Sequence, residues 1–349
     1  MTGPGDFPSP LSPDHPPAAS APAVLRDVMF GHVHSAALRA VAVHRIADHL
    51  ADGPRTPVEL AGLTGTDAAA LRRVLRLLAV RGLFHEDARG GFRLEPAGQP
   101  LRTDAAHSQH AGVLMITDPM IAGSAAELPR ALREGRSPFE LAYGGPFFEH
   151  LHKSPGDRAV FDAGMAAFSG QEDELVARGY AFPDGARVVD VGGGRGGLLR
   201  AVLRRGPALE GVLFDRPDTV AEHLLDEPAL AGRWRTEGGD FFEAVPPGGD
   251  FYLLKHILHD WDDEAALRVL GTVRRAAAPG ARLLVVDAVL PGGGVPHPAV
   301  ELDIVMLMVV EGRERTAAEF EELLARAGFR LHRILPTPAL PSVLEAVAV

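Results

Sequence analysis

Cysteine is missing from the chain altogether. Its absence excludes disulfides, thiolate metal sites and cysteine nucleophiles, and it agrees with a reducing cytoplasm, the expected location. Missing too is any apolar run of the roughly 18 residues that a membrane span needs, so no membrane association is expected. Cations are in deficit: 35 Lys and Arg stand against 46 Asp and Glu, a formal net charge of −11. That balance speaks against a surface that grips phosphate backbones along its whole extent. The N-terminus, MTGPGDFPSPLSPDHPPAASAP, lacks the basic and apolar regions of a secretory signal. Rich in proline and small residues, residues 1–21 read as a disordered tail. What remains is an ordinary globular composition, 46% hydrophobic and 23% charged over 349 residues, with room for about two domains.

From Ala23 to about Leu50, apolar residues recur at helical spacing: Leu25, Val28, Met29, Val33, Ala37, Leu38, Val41, Ile46 and Leu50. Next, Thr56 and Glu59 have capping-box spacing, Thr66 and Asp67 offer a second helix start, and Leu71 to Leu83 is amphipathic. Phe84–His85 and Phe92–Leu94 then flank a polar, glycine-containing turn, as a short hairpin does. Helix, helix, hairpin is the outline of a winged helix, and residues 22–100 are assigned to it. Residues 101–180 read as mostly helical, with loops at Asp118–Pro119, Gly135–Pro138, Gly144–Pro146 and Ser154–Gly156.

Beyond residue 180 the pattern changes to short β-branched runs alternating with helical stretches. Strands are expected at Arg187–Val191, Gly211–Asp215, Arg233–Glu237, Phe251–His256, Arg282–Val289, Phe329–Leu335 and Ser342–Val347. Helices such as Asp263–Ala278 and Thr316–Ala327 lie between them. Strands alternating with helices predict an α/β domain over 181–349, with a mostly parallel, doubly wound, seven-stranded sheet.

The first strand opens into RVVDVGGGRGGLL. Glycines in this turn let the backbone approach a ligand, because no Cβ stands in the way. Gly192, Gly194 and Gly197 also satisfy the dinucleotide-binding fingerprint, so a nicotinamide-dependent oxidoreductase is one reading of the turn. The acids around it favour another. Asp190 precedes the glycines, Asp215 ends the second strand and Asp240 follows the third, beside Phe241. Three carboxylates repel a pyrophosphate but suit an adenosine that carries a sulfonium cation.

The fourth strand runs into KHILHDWDDE, and ligands of an open parallel sheet gather at such carboxyl ends. His256, His259 and Asp260 have the composition of a metal trio, yet His256 reads better as a packed strand-end residue and no metal is expected. An imidazole suits proton abstraction from a phenol near neutral pH, which makes His259 the candidate base. Asp287 and Glu314, in later loops, could orient its ring. Each also has a bland reading, as a strand-end acid and a first-turn helix acid.

DVGGGRGG, LFDRP, GDFF, LLKHILHDWDDE and GRERT occur in the order found in the plant-type, caffeic-acid-like O-methyltransferases, and the chain resembles that family and its bacterial natural-product branch. The resemblance covers nearly everything after the tail. It implies a metal-free, Rossmann-like class I methyltransferase domain and a winged-helix domain that builds a homodimer. It also implies S-adenosylmethionine as donor, with S-adenosylhomocysteine as product. Gly192 would meet the methionyl part, Asp215 the ribose, and Asp240, Phe241 and Lys255 the adenine. His259 becomes the general base, positioned by Glu314 and Asp287. Phe161, Met165 and Met306 fall where family members line the acceptor pocket.

The chain also departs from the plant pattern. Asp287 stands where plant members have Glu, which shortens its reach to the histidine. Glu311 replaces a glycine before GRERT, and Val309–Val310 replace a polar acceptor contact. Some antibiotic-pathway relatives have exchanged methyl transfer for hydroxylation or decarboxylation; retention of His259 argues against that here. A winged helix with Arg72, Arg73, Arg76 and Arg81 also resembles a DNA-binding regulator. The acidic balance favours a solvated helix face or dimer contacts for those arginines, without nucleic acid.

Overall fold

The computed structural model describes residues 21–349. Residues 1–20 of the assigned tail lie outside them, whereas Ala21 already opens a helix, Ala21–Met29. Among the described residues, no helix is long and apolar enough to cross a membrane.

The N-terminal part follows its local signals. After Gly31–Val43, helix Pro57–Thr64 starts on a complete capping box between Thr56 and Glu59. Asp67 caps Ala68–Val80 by accepting the Ala70 N–H. A hairpin of β1 (Phe84–Glu86) and β2 (Phe92–Leu94) closes the winged helix. Leu60, Leu75, Leu78, Phe84 and Phe92 form its dry centre. Three of the four arginines that suggested DNA are engaged: Arg72 and Arg76 both donate to Glu86, and Arg81 pairs with Asp27.

Short helices fill most of the segment up to residue 153, and the long helix Pro155–Gly179 leads into the sheet. The sheet consists of β3 (Arg187–Val191), β4 (Glu210–Asp215), β5 (Trp234–Gly238), β6 (Phe251–Lys255), β7 (Arg282–Asp287), β10 (Phe329–Leu335) and β11 (Ser342–Ala348). Between β7 and β10, the two-residue strands β8 (Val289–Leu290) and β9 (Arg315–Thr316) pair in parallel. The sheet order is β10-β11-β7-β6-β3-β4-β5, with β11 alone running opposite to the rest. The seven expected strands are therefore present, with ends displaced by at most two residues.

Alternation along each strand builds two cores. Val189, Val212, Tyr252, Leu254, Leu283 and Val285 face helices Asp263–Ala276 and Ala317–Arg326. Val188, Leu213, Leu253, Leu284 and Val286 face helix Gly197–Arg205. Burial on both faces is why these strands read as nearly continuous apolar runs. The chain winds outward from β3 through β5, then crosses to β6 on the other side of β3. That reversal opens a crevice at the carboxyl ends of β3 and β6, where the glycine turn and His256–His259 emerge.

Candidate active site

The turn after β3 is shaped by short hydrogen bonds. The Gly192 N–H donates to the Phe214 carbonyl and the Gly194 N–H to Asp215 Oδ2, each at 2.8 Å. Gly192 has φ 68°, and a Cβ there would come within 2.5 Å of Ile257 and 3.4 Å of Phe241. The glycine thus keeps open a cradle walled by Ile257 and Phe241.

The three acids of the rim behave differently. Asp190 is buried with both oxygens unpartnered; burial, aided by nearby Asp173, pushes its carboxyl up to about 7. Asp215 accepts backbone N–H groups of Gly194 and Arg216, and burial still raises its pKa. Asp240 accepts from the Phe242 N–H at 2.8 Å. An open glycine cradle, an orphaned buried carboxylate and a ring of acids fit a ligand with a cationic centre. Lys255, expected at the adenine, is engaged differently: its ammonium lies 2.7 Å from Asp173 and 3.5 Å from Glu172. Both acids come from helix Pro155–Gly179, so Lys255 ties that helix to the sheet.

His259 lies just after β6, in the turn Leu258–Asp260, and is 6% exposed. Its Nδ1 is 2.8 Å from Glu314 Oε1. A carboxylate oxygen accepts, so Nδ1 is the donor, and in the neutral ring the lone pair is on Nε2. Asp260 Oδ1 is 3.6 Å from Nε2. Asp287 Oδ1 is 3.9 Å from Nδ1, too far for a hydrogen bond. Positioning therefore comes from Glu314, while Asp287 acts through its charge; the aspartate is too short to reach the ring. Burial opposes the imidazolium, but Asp287, the hydrogen bond to Glu314 and Asp260 outweigh it and push His259 up to about 10. Burial in turn raises Asp260 to about 6 and raises Asp287 too, against the pull of the His259 charge.

Glu314 is fixed ahead of helix Ala317–Arg326 rather than in its first turn. Its N–H donates to Asp303 at 2.9 Å, and Thr316 caps the helix. The fully buried Arg315 reaches back to the Leu258 and Trp261 carbonyls at 2.8 and 2.9 Å and to Asp263. It clamps the segment on either side of His259. A Cβ on Gly312 would fall 1.8 Å from the His259 carbonyl oxygen, so the two loops touch through bare backbone. Neither Arg315 nor Gly312 was singled out in the sequence, although both lie in GRERT.

Phe161, Met165 and Met306 come together in one cluster with Met115, Met120, Phe139, Phe147 and Val309. Phe148 joins this wall to the histidine loop by stacking on Trp261, with centroids 6.3 Å apart. His256 proves more than a packed strand-end residue. It has φ 54°, donates its Nε2–H to Glu172 Oε2 over 2.9 Å, and stacks on His259. Glu172 and Asp173 carry no local sequence signal; their partners lie more than 80 residues away.

Residues 126–330 match the model of an O-methyltransferase domain, and residues 26–104 match that of an O-methyltransferase dimerisation domain. The chain is 39% identical to O-methyltransferase SfmM3 of Streptomyces lavendulae, over 93% of this chain and 99% of that one. It is similar to the S-adenosylhomocysteine-bound structure of CalO1, a methyltransferase in calicheamicin biosynthesis, with TM-score 0.86 and 44% identity, covering 93% and 97% of the two chains. A third likeness is to NcsB1, an O-methyltransferase from neocarzinostatin biosynthesis solved with S-adenosylmethionine and 2-hydroxy-5-methyl naphthoic acid. There the TM-score is 0.78 and the identity 33%, over 95% of this chain and 100% of that one.

Proposed function

This chain belongs to the S-adenosylmethionine-dependent O-methyltransferases, and we propose that its acceptor is a phenolic hydroxyl on a small aromatic natural product. His259 is the general base, and the reaction runs without a metal. The observation that carries this reading is the His259–Glu314 pair, buried at the carboxyl ends of the strands with the Nε2 lone pair free. The NcsB1 likeness supports an aromatic acceptor, and the Phe- and Met-lined wall suits a flat apolar ring.

When bound, the donor supplies an electrophilic methyl group on a sulfonium. The protein does the rest. Gly192 admits the methionyl part, Asp215 is placed for the ribose, and Asp240 with Phe241 for the adenine. Phe161, Met165 and Met306 hold the acceptor ring so that its hydroxyl meets both Nε2 and the methyl group, and proximity lowers the barrier. His259 Nε2 takes the phenolic proton as the oxygen attacks, and the resulting imidazolium is stabilised by Glu314 and Asp287.

We further assign residues 22–100 to dimerisation, 101–180 to the acceptor wall and 181–349 to donor binding, in a cytoplasmic homodimer that binds no nucleic acid. The apolar side chains of Leu25, Val28 and Met29, all exposed in one chain, support a homodimer. A panel of phenols, anilines and aromatic carboxylates, incubated with methyl-labelled donor, tests the acceptor class. Label should enter phenols as an ether. Label confined to nitrogen or carboxylate, or a hydroxylated or decarboxylated product, would overturn the proposal.

A further inference from the structure

We propose that His256, His259 and Asp287 form a binding site for a divalent transition-metal ion of the zinc class, and that its occupation blocks methyl transfer instead of driving it. One ligand atom from each residue lies within 4.8 Å of the other two. Asp287 Oδ1 stands 3.7 Å from His256 Nδ1 and 3.9 Å from His259 Nδ1. Zinc holds such ligands at about 2.0–2.2 Å, so tetrahedral ligand atoms lie about 3.3–3.5 Å apart. Along these two contacts the site needs to close by only a few tenths of an ångström.

Two of the three ligand residues are free to bind, and His259 Nδ1 must give up its 2.8 Å hydrogen bond to Glu314. Both oxygens of Asp287 and Nδ1 of His256 are buried without a hydrogen-bond partner, and Asp287 is 0% exposed. Glu172 accepts the Nε2–H of His256, which leaves the lone pair of that ring on Nδ1, facing Asp287. A carboxylate behind a histidine, fixing its tautomer toward a common point, is the outer-sphere pattern of metal sites. Two imidazoles and a carboxylate favour zinc, cobalt, nickel or copper over magnesium, which prefers an all-oxygen set.

Blocking follows from which nitrogen is taken. In the working enzyme His259 bears its hydrogen on Nδ1, toward Glu314, and its lone pair on Nε2. A metal on Nδ1 displaces that hydrogen; the neutral ring then carries its one hydrogen on Nε2 and has no lone pair left for the acceptor. This half of the inference rests on His259 being the base; metal binding itself does not.

The test uses the full chain, stripped with chelator. Cobalt(II), a coloured stand-in for zinc, should bind at one equivalent and give the visible bands of a tetrahedral site. One equivalent of zinc should abolish turnover, and chelator should restore it. His256→Asn, chosen because asparagine tolerates positive φ, should keep metal-free turnover and weaken cobalt binding and zinc inhibition by about ten- to a hundredfold. If that variant fails to fold, Asp287→Asn, read by cobalt titration alone, should show the same loss of affinity. No tetrahedral bands in the wild type, or an unchanged affinity in the variants, would overturn the site. Full cobalt binding with unimpaired turnover would overturn the block and the role of His259, leaving the site itself standing.

Discussion

Glu314 Oε1 lies 2.8 Å behind His259 Nδ1, and this one contact leaves Nε2 as the nitrogen with which the proposed base would act. Removing a general base costs about 10²- to 10⁴-fold in rate. His259→Ala should lose that much turnover and keep donor affinity, because the donor-facing groups are on other loops. Labelled methyl transfer and calorimetry with S-adenosylhomocysteine measure the two quantities separately. Near wild-type turnover would place the base elsewhere.

The pH dependence has a definite sign. Burial works against a charged His259, but Asp287, Glu314 and Asp260 raise it to about 10. A base must be unprotonated to act, so kcat/KM should rise with pH along a limb above the ordinary imidazole value of about 6.5. In Glu314→Gln the limb should move down in pH and the maximal rate should fall less than in His259→Ala. The same shift gives stability that is full below about 6.5 and is lost as pH rises through the folded value. Thermal melts should therefore weaken toward pH 10 more in the wild type than in His259→Ala. A limb at or below pH 6.5 would count against this electrostatic picture.

Asp215 ends β4 and accepts from the Gly194 N–H at 2.8 Å. Its replacement by Ala should weaken donor binding by about 1–3 kcal/mol, the usual consequence of stranding hydrogen-bonded partners. Calorimetry would show roughly five- to 150-fold weaker affinity. An unchanged affinity would remove Asp215 from the donor site.

Gly312 offers a test of positioning at a distance. Because a Cβ there would overlap the His259 carbonyl oxygen, Gly312→Ala must push the two loops apart. Turnover should drop at least tenfold, since small displacements of a reacting group are costly. Donor affinity should hold. Loss of both together would mean that the sheet itself had been disturbed.

Light scattering should report twice the 37.0 kDa chain mass. Replacing Leu25, Val28 and Met29 together by Glu should give the monomer, because burying charge in an apolar interface is strongly unfavourable. A monomeric wild type at micromolar concentration would defeat the homodimer assignment.

Much of this was legible in the sequence because the relevant signals are local. A capping box at Thr56–Glu59, β-branched runs and a polyglycine turn each act within a few residues. The seven strands are present with ends moved by at most two positions. Lys255 shows where such reading stops. Its place at a strand end was clear, but its partner depended on where helix Pro155–Gly179 docks, a contact spanning 82 residues. Arg315 was hidden for a similar reason. Between Glu314 and the helix cap Thr316 it looks like a surface charge, and only the folded chain brings the Leu258 and Trp261 carbonyls to it. The reach of Asp287 was a matter of ångströms, which spacing cannot measure.

The wall of Phe161, Met165 and Met306 belongs to a hydrophobic cluster with no member in the seven-stranded sheet. Substitutions in that cluster share few neighbours with the glycine turn or with Asp215, and distant sites change nearly independently. With this wall in its proposed role, acceptor choice can drift, under selection or in a mutant library, while the proposed donor contacts and base are inherited intact. The molecule is in that sense interchangeable at one end: a library confined to 110–168 and 298–310 should yield new acceptors without having to rediscover methyl transfer.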